Sequence, residues 1–252
     1  MEMKNLKPTE VFSFFDEICQ VPRPSKKEEK IIAYLREFGE KYGLETLVDE
    51  AGNVLIKKSA TKGMEGHKTV VLQAHIDMVC EKNKDVEHNF DTDPIETYID
   101  GEWLRARGTT LGADNGIGVA AALAVLASDS IQHGPLECLF TVDEETGLTG
   151  AFALQSGFMN GDVLLNLDSE DEGEIFIGCA GGCRRCGPRI PAPRSGRHPG
   201  SGCEPVRYQK DPNIPSGIPP FGAFTPDSSY IFCGAVRSLR QCHCPECGGR
   251  WR

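Results

Sequence analysis

The sequence predicts an α/β fold, because apolar runs of strand length alternate with stretches whose apolar residues have helical spacing. The apolar runs cover residues 69–74, 136–142 and 163–167, and each has the length of a buried strand. Between the first two runs, residues 119–127 form an Ala-rich stretch that favours a closely packed helix. Strands that alternate with helices build a sheet with helices packed against it.

Two helices are predicted before the first of these strands. Residues 8–20 place apolar side chains on one helical face, and a Pro-containing stretch then ends the helix. Ser25 and Glu28 have the spacing of a capping box, which indicates that a second helix begins here and runs to Gly43. We expect both helices to pack against the sheet without taking part in the chemistry.

Shorter strands are predicted elsewhere between residues 44 and 178. Residues 44–48 and 54–57 are strand-like runs joined by a turn-rich segment. Residues 97–104 are typical of a hairpin, with an Asp-Gly pair at its turn. Residues 174–178 form a further strand-like run.

Length and charge exclude some classes of function. The chain has 252 residues, which is enough to bury a core in one domain or in two small ones. Its formal net charge of -10 argues against a nucleic-acid partner, because phosphate binding depends on surplus Lys and Arg. The sequence has no run of about 18 apolar residues and no apolar signal region at its N-terminus. We therefore expect a cytoplasmic protein without a membrane partner.

The composition changes sharply at Gly182. Residues 1–182 contain 16 Lys and Arg, 33 Asp and Glu and five Pro. Residues 183–252 contain 11 Lys and Arg, four Asp and Glu and 11 Pro. The net charge is therefore -17 in the first part and +7 in the second. Seven of the 11 Cys lie in the second part, and the other four have the apolar surroundings of buried, reduced thiols. We divide the chain at this point into an acidic first domain and an irregular tail.

Three interpretations of the tail remain open. It could be a basic Cys-rich module, a disordered segment, or the product of a coding frame that slipped near residue 182. The frame shift explains the enrichment in Arg, Pro, Gly and Cys with one cause, and it is our hypothesis. Cys183-x-x-Cys186 and Cys244-Pro-Glu-Cys247 could supply four thiolates, but they are much farther apart than the two halves of a zinc ribbon. A single open frame with a coherent tail in the coding DNA would contradict the frame shift.

The apolar run at 69–74 leads directly into two metal-capable side chains, His75 and Asp77. Side chains two residues apart on a strand point to the same face, so we expect the imidazole and the carboxylate side by side. In open α/β sheets, ligands bind beyond the carboxyl ends of the strands. The alternative is that His75 is only the first polar residue after a core strand.

Acidic side chains also stand beside three other predicted elements, which are the Ala-rich helix and the second and third apolar runs. Asp114 precedes the Ala-rich helix in a glycine-rich turn, where it could be an N-cap or a carboxylate that projects from the turn. Asp143, Glu144 and Glu145 follow the second apolar run, and Asp168 follows the third. Three adjacent carboxylates need either a solvated loop or bound cations to offset their repulsion. With cations, one carboxylate can bind the metal while its neighbour takes a proton from water.

These side chains together form a ligand set for divalent cations. The strand ends of an α/β sheet converge along one edge, which would bring the imidazole and the carboxylates together. One His and several carboxylates suit two cations that share a bridging carboxylate. We expect zinc, for which Mn²⁺ or Co²⁺ could substitute.

At these positions the chain resembles the cytosolic Xaa-His dipeptidases of the dizinc exopeptidase family, also called aminoacyl-histidine or beta-alanyl-histidine dipeptidases. The resemblance covers about residues 5–182 and rests on four motifs in order, which are Ala74-His75-Ile76-Asp77-Met78-Val79, Gly112-Ala113-Asp114-Asn115-Gly116-Ile117-Gly118, Asp143-Glu144-Glu145-Thr146-Gly147 and Asn166-Leu167-Asp168-Ser169-Glu170. It implies a zinc-exopeptidase-like mixed sheet flanked by helices, cut short in this chain. Residues 1–182 would then be part of a catalytic domain that hydrolyses dipeptides.

The resemblance also implies the metal ligands. His75 and Asp168 would bind the second of two zinc ions. Asp114 would bridge both ions, and Glu145 would bind the first.

The resemblance implies two catalytic residues outside the ligand set. Asp77 would orient the ring of His75 without binding the metal itself. Glu144 would be the general base that deprotonates the water attacking the dipeptide carbonyl.

The chain departs from this family after Gly182. The family continues with a lid and dimerisation domain and then a last zinc-ligand His, but neither His198 nor His243 lies in a matching motif. We therefore expect the chain alone to bind metal weakly and to hydrolyse little dipeptide, and we do not expect the family's homodimer. The alternatives are an inactive fragment or pseudoenzyme that binds metal or a partner subunit, and a basic Cys-rich module appended to an acidic domain.

Overall fold

The computed structural model describes residues 3–169, Ile175–Phe176 and Ile231–Gly234, and it confirms the α/β fold. After a short 3-10 helix at Met3–Asn5, the elements are α1 Thr9–Cys19, α2 Glu29–Tyr42, β1 Glu45–Val48, β2 Val54–Lys58, β3 Val70–His75, β4 Thr97–Asp100, β5 Trp103–Ala106, α3 Ala113–Ala127, β6 Leu136–Thr141, α4 Thr149–Ala153, β7 Val163–Asn166, β8 Ile175–Phe176 and β9 Ile231–Gly234. Among the described helices, none is both long and apolar enough to cross a membrane.

The predicted tail, residues 183–252, lies outside the described residues except for β9. The same holds for the boundary at Gly182 and for most of the strand-like run at 174–178, of which the structure describes the two residues of β8. The division of the chain at this boundary therefore stays a prediction.

The main sheet has seven described strands in the order β1-β2-β6-β3-β7-β9-β8. Strands β6, β3, β7 and β9 run parallel, whereas β1, β2 and β8 run antiparallel to their neighbours. This is the mixed sheet that the family resemblance implied. Because β3, β6 and β7 are parallel, their carboxyl ends lie at the same edge of the sheet. The hairpin of β4 and β5 is confirmed, and it pairs outside the main sheet.

The core lies mainly on one face of the sheet. Helices α1, α2 and α3 pack on this face, where Phe15 of α1 and Phe140 of β6 are fully buried. A smaller cluster on the other face centres on Leu55, Val71 and Leu139. Every residue of β6 is buried, as expected for a central strand covered on both faces.

The predicted capping box at Ser25 and Glu28 is wrong. Helix α2 begins one residue after Glu28, and no side chain caps its N-terminus. The Ser25 hydroxyl instead donates to Asp77 Oδ2 at 2.7 Å, and Glu28 Oε1 accepts from the backbone N–H of Asp143 at 3.0 Å. Both polar groups therefore form hydrogen bonds with residues that are distant in sequence, and they do not cap the helix beside them.

Three of the four Cys of the first domain, Cys19, Cys80 and Cys138, are free thiols, as predicted. Cys19 and Cys138 are buried, and Cys80 is partly buried. Burial raises the pKa of Cys19 to about 12 and that of Cys80 to about 11. These thiols therefore stay protonated near neutral pH, which disfavours thiolate chemistry. Cys179, the fourth Cys of the first domain, lies outside the described residues.

The turn between β1 and β2 holds the acidic loop that follows β6. Asn53 is fully buried, and its Oδ1 accepts from the backbone N–H of Val142 at 3.1 Å. Its Nδ2 donates to the carbonyl oxygen of Gly150 at 2.9 Å and to Asp49 Oδ2 at 2.7 Å. One amide side chain thus ties together the two ends of the loop.

We expect Asn53→Ala to lower the free energy of unfolding by about 3 kcal/mol, because it leaves buried backbone groups of Val142 and Gly150 without their partners. Urea unfolding at 25 °C measures the change. Glu50→Ala is the matched control, since Glu50 is exposed in the same turn and its loss should cost less than about 0.5 kcal/mol. Equal effects of the two substitutions would contradict the role given to Asn53.

Candidate metal centre

The predicted site residues meet at the edge of the sheet where β3, β6 and β7 end. His75 is the last residue of β3 and is 1% exposed. Its Nε2 atom lies 3.0 Å from Asp114 Oδ1, 3.7 Å from Asp168 Oδ1 and 3.9 Å from Glu144 Oε2. His75 is therefore more than the first polar residue after a core strand, because carboxylates from three separate loops surround its ring.

Asp77 lies on the other side of the imidazole and is fully buried. Its Oδ1 atom is 3.2 Å from His75 Nδ1. Oδ1 also accepts the backbone N–H of Glu144 at 3.0 Å. The second oxygen, Oδ2, accepts the backbone N–H of Glu145 at 3.2 Å and the Ser25 hydroxyl. Burial raises the pKa of Asp77, but the hydrogen bonds from His75, Glu144 and Ser25 outweigh burial and hold the pKa at about 2. Asp77 is thus an ionised carboxylate in contact with the Nδ1 side of the His75 ring.

The surroundings of His75 stabilise positive charge at the ring. Burial lowers its pKa, but the hydrogen bonds to Asp114 and Asp77 and the charge of Asp168 raise the pKa to about 10. A cation at Nε2 would meet the same carboxylates. A carboxylate on the remaining ring nitrogen is the usual second partner of a metal-binding imidazole.

Asp114 projects from an irregular turn at the start of α3. The backbone at Asp114 has φ -85° and ψ 111°, which is not helical. The N-cap is Gly112, and no side chain caps the helix, so the interpretation of Asp114 as an N-cap is wrong. Gly112 has φ 67°, a conformation that favours glycine. The turn therefore frees the Asp114 carboxylate to face His75.

Only two of the three adjacent acids after β6 face the site. Glu144 and Glu145 are partly exposed, and burial raises the pKa of both. Asp143 turns inward, where its two oxygens accept the hydroxyl groups of Thr146 and Thr149 at 2.7 and 2.6 Å. The interpretation of this segment as a simple solvated loop therefore does not fit Asp143.

The carboxylates at the site are crowded. Burial raises the pKa of Asp168 to about 8, with Asp114 and Glu144 adding to the effect and His75 opposing it. Acids that are crowded and partly desolvated retain protons more readily. A bound divalent cation would reverse this preference, because its charge stabilises the ionised form.

Besides the buried acids Glu28, Asp77 and Asp143, two overlapping groups of described side chains have ligand atoms within reach of a single cation. His75, Asp114 and Asp168 form one group, and His75, Glu144 and Glu145 form the other, with the ligand atoms of each group within 4.8 Å of one another. An imidazole together with carboxylates suits zinc, manganese or cobalt. The residues present therefore fit a metal centre at the end of β3, while the role of each residue stays a prediction.

A ladder of side-chain hydrogen bonds crosses β6, β3 and β7 just before the site. Gln73 Nε2 donates to Thr141 Oγ1 at 3.1 Å, and Asn166 Nδ2 donates to Gln73 Oε1. Asn166 Oδ1 accepts from the backbone N–H of Asp168 at 3.0 Å. Gln73 stands two residues before His75 on β3 and so shares a strand face with it, while Asn166 ends β7 two residues before Asp168; sequence reasoning missed both polar residues. The ladder fixes the three strand ends relative to one another.

Comparison with known proteins identifies relatives of the N-terminal part. Residues 71–188 match the model of peptidase family M20/M25/M40. The cytosol non-specific dipeptidase of Escherichia coli K12 is 54% identical over 181 residues, which are 72% of this chain and 37% of that protein. This chain therefore spans little more than a third of the length of that relative.

Comparison with solved structures also identifies peptidases that resemble the N-terminal part of this chain. The aminoacylhistidine dipeptidase of Vibrio alginolyticus has 57% sequence identity and a TM-score of 0.70, over 71% of this chain and 36% of that chain. The aminopeptidase PepT of Bacillus cereus has 28% identity and a TM-score of 0.57, over 67% of this chain and 45% of that chain. The resemblance of the N-terminal part to the aminoacyl-histidine dipeptidases is confirmed.

Proposed function

Because the N-terminal part of this chain is homologous to the peptidases of family M20/M25/M40, we propose that the protein is a metal-dependent peptidase. Its substrates are dipeptides of the Xaa-His type, since two relatives are a dipeptidase and an aminoacylhistidine dipeptidase by name. The observation that carries the proposal is the convergence of His75, Asp114, Glu144 and Asp168 at one edge of the sheet. A cytoplasmic location belongs to the same proposal, because the E. coli relative is a cytosol enzyme.

Two zinc ions are the proposed cofactor, and Mn²⁺ or Co²⁺ could take the same places. His75 and Asp168 would hold one ion, and Glu145 would hold the other. Asp114 would bridge them, and its Oδ1 atom lies 3.0 Å from His75 Nε2. When bound, the cations would polarise the peptide carbonyl and lower the pKa of a water molecule.

Glu144 is the proposed general base. Its side chain is 30% exposed and reaches to 3.9 Å from His75 Nε2, so it borders the metal centre while remaining open to water. Burial raises its pKa, which moves the carboxylate towards the range where a base can accept a proton near neutral pH. Asp77, fixed by its hydrogen bonds, holds the His75 ring in place during this proton transfer.

A metal-supplemented assay of the purified protein tests the proposed function. The protein is incubated with Zn²⁺, Mn²⁺ or Co²⁺ and Xaa-His dipeptides, and both histidine release and metal content per chain are measured. Up to two weakly bound ions per chain together with slow hydrolysis is the expected result. One ion or none, without hydrolysis, would instead indicate an inactive fragment that binds metal or a partner subunit. Metal lost only when Cys183 and Cys244 are replaced would place it in the tail and contradict the proposal.

A further inference from the structure

We propose that residues 23–28, between α1 and α2, form a brace that sets the spacing of three loops at the metal centre, those after β3, before α3 and after β6, with Ser25 and Glu28 as positioning residues. This proposal rests on the proposed metal-dependent function. The segment supplies no ligand to the two groups around His75. Arg23, Ser25 and Glu28 are buried or half-buried, whereas Lys26 and Lys27 are exposed. Arg23 is 2% exposed and Glu28 is 7% exposed.

Arg23 joins two of the three loops. Its guanidinium donates to the carbonyl oxygens of Ile76 and Asp77, at 3.1 Å each, and to the carbonyl oxygen of Gly112. The first two belong to the loop after β3, and the third belongs to the turn before α3 that presents Asp114. A planar guanidinium with donors in fixed directions thus sets the distance between these two backbone segments.

The close packing around Arg23 explains two glycines of the second sequence motif. A Cβ atom at Gly112 would lie 2.6 Å from the Arg23 guanidinium and 2.6 Å from Met78 Sδ. A Cβ atom at Gly116 would also lie 2.6 Å from the guanidinium. The turn that carries Asp114 can therefore approach Arg23 only because both residues lack a side chain.

Ser25 acts on the carboxylate that orients the imidazole. Its hydroxyl donates to Asp77 Oδ2 at 2.7 Å, while Asp77 Oδ1 lies 3.2 Å from His75 Nδ1. The backbone next to it is fixed as well, because the N–H of Met78 donates to the carbonyl oxygen of Arg23 at 3.2 Å. Ser25 thus holds the rotation of the Asp77 carboxylate, and through it the direction in which His75 Nε2 points.

Glu28 reaches the third loop. Its Oε1 atom accepts the backbone N–H of Asp143 at 3.0 Å and that of Lys26 at 2.8 Å. Asp143 immediately precedes Glu144 and Glu145, so this bond fixes the point from which both acids extend. The hydrogen bonds from the brace to the three loops span 52 to 115 residues of sequence, so they connect the loops rather than stabilise a helix end.

Cobalt binding by the full chain tests the brace, because Co²⁺ reports ligand geometry through its visible absorption spectrum. We expect Ser25→Ala to weaken Co²⁺ binding about 10- to 100-fold, the range for loss of an outer partner of a metal ligand, and to change the spectrum of the bound ion. Ser25→Thr keeps the hydroxyl and should restore both. Lys27→Ala is the matched control, since Lys27 is exposed in the same segment and should bind Co²⁺ like the unaltered protein.

A second pair of variants tests Glu28 in the same way. Glu28→Gln keeps the Oε1 acceptor and should retain Co²⁺ affinity, whereas Glu28→Ala should weaken it. Unchanged affinity and spectrum in Ser25→Ala and Glu28→Ala, even with a lower Tm, would mean a merely structural role and overturn the brace. Weakened Co²⁺ binding without any dipeptide hydrolysis by the unaltered protein would support the brace and overturn the proposed function. Absence of Co²⁺ binding by the unaltered protein would overturn both.

Discussion

Replacing His75 with Ala is expected to lower the affinity for Zn²⁺ at least about 100-fold. His75 belongs to two of the three described groups of ligand atoms, so its loss removes a ligand and also the centre around which the carboxylates are arranged. Loss of an outer partner alone typically costs about 10- to 100-fold in metal affinity, and a direct ligand should cost no less. Isothermal titration with Zn²⁺ measures the change in affinity and in the number of ions bound.

His67→Ala is the control for this prediction. His67 is exposed and lies in none of the described groups that could hold a cation, so its loss should leave the titration unchanged. A decrease of less than about threefold in the His75 variant, measured beside this control, would show that the imidazole is not a ligand.

Glu144→Gln is expected to lower the turnover of Xaa-His dipeptides about 100- to 10,000-fold, the usual contribution of a general base, while the bound metal stays in place. Glutamine has the shape of glutamate but cannot accept the proton. The adjacent Glu145→Gln variant is the matched comparison, because Glu145 is proposed as a ligand and its loss should weaken metal binding as well. Steady-state kinetics at saturating Zn²⁺, with metal content measured on the same samples, separates the two effects.

The two glutamates can be distinguished because their predicted defects differ in kind. If Glu144→Gln kept more than a tenth of the activity, another group would have to take the proton. If it lost metal as readily as Glu145→Gln, Glu144 would be a ligand, and the role of base would be wrong.

The strands that carry the site could be predicted from the sequence. Strands β3, β6 and β7 are central and parallel, and buried parallel strands read as continuous apolar runs bounded by polar residues. The convergence of His75, Glu144 and Asp168 then follows from topology alone, because parallel strands end at the same edge. The start of α3 could be predicted less well, because an acid ahead of a helix is usually an N-cap, whereas the structure has Gly112 at the N-cap position.

The supporting residues could not be predicted, because their partners are far away in sequence. Ser25 and Glu28 have the spacing of a local capping box. Nothing in that spacing reveals that Ser25 instead donates to the Asp77 carboxylate and that Glu28 accepts the backbone N–H of Asp143. Gln73 lies inside a strand, where its polar partners on neighbouring strands depend on the register. Strand β9 escaped prediction because a four-residue run in Pro- and Arg-rich surroundings shows no period.

Anomalous scattering at the zinc absorption edge, from crystals grown with Zn²⁺, tests the central claim most directly. Two neighbouring peaks are expected, one bound by His75 Nε2 and Asp168 and the other by Glu145, with Asp114 in contact with both. Peaks confined to the cysteines of the tail, or none within bonding distance of His75, would contradict the claim that the ends of β3, β6 and β7 build a two-metal centre.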